Sequence, residues 1–146
     1  MLEVKPIQSK TEQEAICARC GVEYDADLLA YAAVVDDELH GVCQFVLTPE
    51  GGSLRSLGTV SSRDPDFTAM FVLGRAALNF IDLCGVHFAT FDAPIADEEE
   101  ARLVRAIGFS EDEAGRLSVD LTHFFEHPCQ HHATGPADIP NTTDET

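Results

Sequence analysis

The stretch Pro65–Cys84 constrains this chain most. Its polar residues Thr68, Arg75, Asn79 and Asp82 fall on one stripe at i, i+7, i+11 and i+14 spacing. Nearly every other position is apolar, with Phe67, Met70, Phe71, Leu73, Leu78, Phe80 and Ile81 among them. A helix with so narrow a polar stripe is mostly buried. Asp64-Pro65 reads as an N-cap followed by proline at the first helical position, and Gly85 as the helix end.

Apolar strand patterns precede it. Leu28–Val35 (LLAYAAVV) is a continuous apolar run ended by Asp36-Asp37, the length of a strand buried on both faces. Leu39–Thr48 is apolar and β-favouring through Val42, Cys43, Phe45, Val46 and Leu47. Asp36-Asp37-Glu38 suits a hairpin, and Pro49-Glu50-Gly51-Gly52 is a turn signal leading to a third strand over Leu54–Val60. The spacing predicts three consecutive antiparallel strands. Upstream, residues 1–7 read as a short strand or arm, and Thr11–Cys20 as a short helix closed by Gly21. Downstream, the pattern predicts a strand over Val86–Phe91 and a helix over Asp97–Ile107, with acidic residues at its positive end and Gly108-Phe109 ending it. Gly115–Phe125 reads as a last strand through alternating Leu117, Val119 and Leu121. Residues 127–146 are polar, carry Pro136 and Pro140, and read as a tail without a core.

The chain has 146 residues, a length that predicts one domain. Nine Lys and Arg face 26 Asp and Glu, a net charge of −17. A field of that sign repels phosphate backbones and anionic lipid heads, which excludes nucleic acid and membrane surfaces as expected partners. The N-terminus shows no basic region followed by an apolar one, and the longest apolar run is far too short to span a bilayer. Five cysteines form no regular framework. Together these features predict a cytoplasmic protein with free or metal-bound thiols.

The order of elements is strand, helix, three antiparallel strands, long helix, strand, helix, strand. In this order the chain resembles the GNAT (Gcn5-related N-acetyltransferase) superfamily. The resemblance rests on the strands through Val60, on Arg75-Ala76-Ala77-Leu78-Asn79-Phe80 followed by Gly85-Val86 and a strand, and on Leu103-Val104-Arg105-Ala106-Ile107-Gly108-Phe109. It implies an α/β (α+β) fold with a mixed, mostly antiparallel central sheet flanked by helices. The implied division is a GNAT-like domain over 1–126 and a Cys/His-containing tail over 127–146. It further implies acetyl-CoA or acyl-CoA as acyl donor, with the pyrophosphate held at the start of the long helix by an Arg/Gln-x-x-Gly-x-Gly/Ala loop. Glycines there let main-chain N–H groups approach phosphate oxygens. Carried onto this chain, the cofactor-binding positions are Arg63, Asp66, Phe67 and Thr68. Placing Arg63 on the family arginine puts Asp66 and Thr68 at the small-residue positions; aligning back from the helix puts Thr68 and Met70 there. Neither register contains a glycine, Pro65 lacks an N–H, and Asp64 and Asp66 add negative charge. The family's proton-donating tyrosine falls on Val104, which cannot donate. Glu23, Asp25 and Asp92 are candidate bases, and the two tyrosines, Tyr24 and Tyr31, both lie upstream.

Cys17-Ala18-Arg19-Cys20-Gly21 has the form of a zinc knuckle, because two thiolates at i, i+3 can reach one tetrahedral ion. Cys129 and His132 would complete a Cys₃His site tying the first helix to the tail, with His127 and His131 nearby. The opposing reading is one buried and one partly exposed thiol and a solvated histidine tail. Cys43 and Cys84 read as core; His40, His87 and His123 as packed strand histidines; Glu98-Glu99-Glu100 as a solvated face; and Phe124-Phe125 as closing the core.

Two functional readings stand. One is an acyl-CoA-dependent N-acyltransferase whose acidic surface favours a cationic small molecule or peptide as acceptor. The other is a non-catalytic GNAT-like binding protein with a ligand between splayed strands, with or without structural zinc. A homodimer is compatible with both.

Overall fold

The structure, a computed structural model, describes residues 1–126. The elements in chain order are β1 (Leu2–Pro6), α1 (Lys10–Arg19), β2 (Leu29–Val35), β3 (Glu38–Thr48), β4 (Gly51–Thr59), α2 (Phe67–Leu83), β5 (Phe88–Phe91), α3 (Glu98–Ile107), β6 (Ser110–Glu111) and β7 (Leu117–Asp120). The strands form one sheet in the order β1-β2-β3-β4-β5-β7-β6. Every neighbouring pair is antiparallel except β4 and β5, which run parallel. This is the mixed, mostly antiparallel sheet that the resemblance implies.

Period-two alternation sorts β3 onto two faces. Cys43 and Phe45 pack with α2 and α3 in the larger core, against Leu73, Leu78, Ile81 and Ile107. Val42 packs on the other face with Cys17 and Cys20 of the α1 segment, Ala30 and Val60. The β2–β3 turn is two residues long: Val35 pairs with Glu38, and Asp36 and Asp37 have φ of 50° and 68°. A two-residue hairpin needs left-handed backbone of this kind, and aspartate tolerates it better than most side chains.

Four local expectations change. First, α2 is capped by Asp66, not Asp64. The Asp66 carboxylate accepts from the Ala69 N–H at 3.1 Å and also meets His40, so it holds two partners at the helix start. Second, β4 begins at Gly51, so Gly51-Gly52 belongs to the strand. A Cβ on Gly52 would lie 2.6 Å from Ile81 Cδ1, so the glycine lets α2 rest close on the sheet. Third, the last strand ends at Asp120. Its carboxylate accepts from the Thr122 N–H at 2.9 Å, and His123 follows with φ of 63°, which turns the chain. The short β6 escapes the sequence pattern because both its residues are exposed. Fourth, Cys84, His87 and His123 are exposed. Cys43 and His40 are buried and Phe124 and Phe125 pack against the larger core, as expected. Among the described residues no helix is long and apolar enough to cross a membrane.

Candidate functional site

β4 and β5 pair over three residues only, Gly52–Leu54 against Ala89–Phe91, and the Asp92 N–H closes the ladder on the Leu54 carbonyl at 2.8 Å. β4 then continues to Thr59 while β5 stops. The strands fork, and a cleft of about 1220 Å³ opens between them. One wall is the β4 segment Arg55–Thr59. Facing it are the loop after β5 (Ala93–Asp97), Leu103 and Val104 of α3, and Phe67 and Met70 at the start of α2. The loop after α1, carrying Glu23, Tyr24 and Asp25, closes the remaining side.

A β-bulge marks the fork. Gln44 pairs with Ser56 and Phe45 with Leu54, so Arg55 is the extra residue. Bulges re-aim side chains in this way and recur beside functional sites. Behind it runs a buried polar chain. Gln13 and Gln44 are 0% and 1% exposed, and Gln13 Nε2 donates to Gln44 Oε1 at 2.9 Å. Gln44 Nε2 donates to Ser56 Oγ at 2.9 Å and to the Glu23 carbonyl at 2.8 Å, while the Asp25 N–H donates to Gln44 Oε1 at 3.2 Å. Two main-chain contacts to one side chain hold the Glu23–Asp25 loop over the cleft. The resemblance pointed to neither glutamine. The signal was present, since Gln44 is one amide inside the apolar run Val42–Leu47.

The cleft is acidic. Glu23, Asp25, Asp97, Glu99 and Glu100 line it against Arg55 and Arg102. Tyr24 also lines it, and desolvation together with Glu14, Cys17 and Asp25 pushes its phenol above the ordinary value. Val104 lines the cleft as an apolar wall.

Of the four positions the resemblance assigned to the cofactor, the structure brings one, Phe67, into the cleft lining. Arg63 is ion-paired with Glu38 at 3.3 Å. Thr68 is exposed on the first turn of α2. Asp66 fills the place at the helix start where an anion would sit, and its other carboxylate oxygen lies 3.0 Å from Nδ1 of the buried His40. The N–H groups of Phe67 and Thr68 have no acceptor among the described residues. The helix start therefore retains two donors but carries its own negative charge. Asp92 is not in the lining. It accepts from Ser53, from Thr90 at 2.6 Å and from Arg116 at 3.1 Å; burial works against its charge, and these hydrogen bonds outweigh burial and lower its pKa. Tyr31 packs against Phe45 and Phe80.

Cys17 and Cys20 are both buried, where the reading without zinc had one of them partly exposed. Burial raises both pKa values, and Cys20, with Cys17 beside it, is pushed up to about 11. Zinc would bind this pair as thiolates. Among the described residues no three His, Cys, Asp or Glu side chains converge as a metal site. Cys129 and His132, the other expected ligands, lie outside the described residues.

No protein-family model and no curated protein matches the chain. Solved structures do. An acetyltransferase from Bacillus subtilis in complex with CoA is 15% identical, with 83% of this chain and 99% of that one covered at a TM-score of 0.64. A spermidine N-acetyltransferase mutant from Vibrio cholerae is 9% identical, with 87% and 98% covered at 0.65. A protein from Desulfovibrio desulfuricans described as an acetyltransferase of the GNAT family is 14% identical, with 84% and 100% covered at 0.61. At such identities the shared property is the path of the chain. With its forked β4–β5 pair and α2 at the mouth of the fork, this chain has the GNAT acetyltransferase fold.

Proposed function

We propose that this chain transfers an acyl group from acyl-CoA to a cationic amine. The observation that carries the reading is the fork. Beyond Leu54, β4 presents an edge that β5 does not pair, inside a cleft large enough for two small molecules. The pantetheine arm of CoA is an extended chain with two amides, and a strand edge offers N–H and C=O groups in the repeat that such a chain can pair with. The five carboxylates on the walls concentrate cations, which suits an amine acceptor. Two fold neighbours support the two halves of the reading, one determined with CoA and one a spermidine N-acetyltransferase.

The residues fit the acyl-pantetheine end of the donor well and its pyrophosphate less well. The Phe67 and Thr68 N–H groups are the donors left for phosphate oxygens, and Asp66 repels them. Glu23 and Asp25 are the bases placed to take a proton from the amine, and Tyr24 is the lining acid able to return one to the departing thiolate. Val104 leaves the family's usual donor position empty of chemistry.

The test is calorimetric titration with acetyl-CoA at low salt, followed by release of CoA thiol with spermidine as acceptor. The expected result is binding in the micromolar range and amine-dependent thiol release. No heat up to millimolar acetyl-CoA overturns the reading. One observation, the Asp66 carboxylate at the start of α2, favours a second reading, a non-catalytic receptor for cationic ligands. That reading requires spermidine to bind where acetyl-CoA does not.

A further inference from the structure

The orientation of the Gln44 amide can be derived without ambiguity. Its Oε1 receives a main-chain N–H, from Asp25 at 3.2 Å, and its Nε2 reaches a main-chain carbonyl, of Glu23 at 2.8 Å. The first group can only donate and the second only accept. The remaining contacts must follow this polarity. Lys10 Nζ, which only donates, meets Gln13 Oε1 at 3.1 Å; Gln13 Nε2 donates to Gln44 Oε1 at 2.9 Å; Gln44 Nε2 donates to Ser56 Oγ at 2.9 Å. The chain of donors runs one way, from an ammonium to a hydroxyl.

Ser56 is at its end. Its oxygen accepts from Gln44, so its own O–H has to donate elsewhere. It has no acceptor among the described residues, although the residue is only 9% exposed. It lies beside the bulge at Arg55, just past Leu54 where β4 leaves β5, and it lines the cleft. A hydroxyl whose oxygen is held by Gln44 and whose proton has no protein acceptor offers that proton to whatever occupies the cleft, water or ligand.

We propose that the Ser56 hydroxyl donates to the carbonyl oxygen of the acyl thioester at the fork, with Gln44 as its positioning residue. This rests on the acyltransferase reading above. In the transfer, the amine nitrogen forms a bond to the carbonyl carbon and the C=O π pair moves onto oxygen, where Ser56 faces the developing charge. That pair returns, the C–S bond breaks, and sulfur leaves with the bonding electrons. Nitrogen loses one proton and sulfur gains one. A donor preorganised for that oxygen acts on the transition state more than on the bound substrate. The cationic end of the donor chain polarises each hydrogen bond in the same direction.

The experiment binds acetyl-CoA isotopically labelled at the carbonyl carbon and reads its carbonyl stretch by difference infrared spectroscopy, with kinetics alongside. The stretch is expected at lower frequency in the wild type than in Ser56→Ala, and Ser56→Thr should match the wild type. With spermidine as acceptor, kcat should fall about 10–100-fold in Ser56→Ala with KM for acetyl-CoA little changed, and recover in Ser56→Thr. Gln44→Glu supplies a second test. Its carboxylate would accept the Ser56 proton, turn it away from the cleft and remove the frequency shift. That variant carries the test if Ser56→Ala does not fold. An unchanged stretch in Ser56→Ala with acetyl-CoA bound overturns the Ser56 assignment alone. Absence of acetyl-CoA binding to the wild type overturns the acyltransferase reading and this assignment with it.

Discussion

Asp66 shows how one side chain can support the fold and oppose a ligand. Its carboxylate caps α2 through Ala69 and holds His40, yet it stands where phosphate oxygens would seek the Phe67 and Thr68 N–H groups. Asn caps helices about as well as Asp and carries no charge. Asp66→Asn should therefore tighten acetyl-CoA binding roughly 3–10-fold, as expected for one like charge removed at about 6 Å in a partly hydrated site. Unfolding free energy should change by less than about 1 kcal/mol. Calorimetry and urea unfolding on the same preparation check both. An unchanged affinity would mean that the phosphates lie away from α2. At this scale the sequence was legible in part. The clash of Asp64, Pro65 and Asp66 with an anion cradle could be read directly, but which carboxylate caps could not. That choice depends on His40, 26 positions away in the chain. Gln44 stood out as a lone amide in an apolar run, but its role and that of Ser56 were hidden, because they arise from cross-strand register and from a loop folded over them.

Elements were more legible than sites, because periodicity reports burial directly. The apolar stripe of α2, the hairpin at Asp36-Asp37 and the glycines after the helices carry local physics that the chain cannot escape. Boundaries failed where tertiary contact decided, as at Gly51-Gly52 beneath α2, or where a side chain turned the backbone, as at Asp120. Gly74 gives a test at this scale. It is buried in the middle of α2, and a Cβ there would lie 2.5 Å from Ile107 Cδ1 and 3.1 Å from its Cγ1. Alanine is about 1 kcal/mol better than glycine inside a helix, but overpacking a filled core costs about 1–3 kcal/mol. Gly74→Ala should thus destabilise by about 1 kcal/mol in urea unfolding, and adding Ile107→Val should recover most of it. A stabilised Gly74→Ala would show that Ile107 turns aside freely and that α2 and α3 are less tightly locked.

For the whole molecule, charge acts in two places with opposite effects. The net charge of −17 makes the folded state repel itself, and the acidic cleft attracts cations. Raising salt from low to physiological ionic strength should increase thermal stability and, in the same range, weaken spermidine binding several-fold, since the Debye length falls to about 8 Å. Scanning calorimetry and titration across salt concentrations read the two trends. Parallel trends would place the spermidine site away from the acidic walls. The fork between β4 and β5 also bears on how a ligand and the protein relate. Where a strand would normally lie, this sheet has an unfinished seam. On the proposed function, a pantetheine arm laid along it would take the place of the missing neighbour, and the guest would become a structural member of its host. Occupancy and fold stability would then rise together, and the empty protein would be the incomplete form of the sheet.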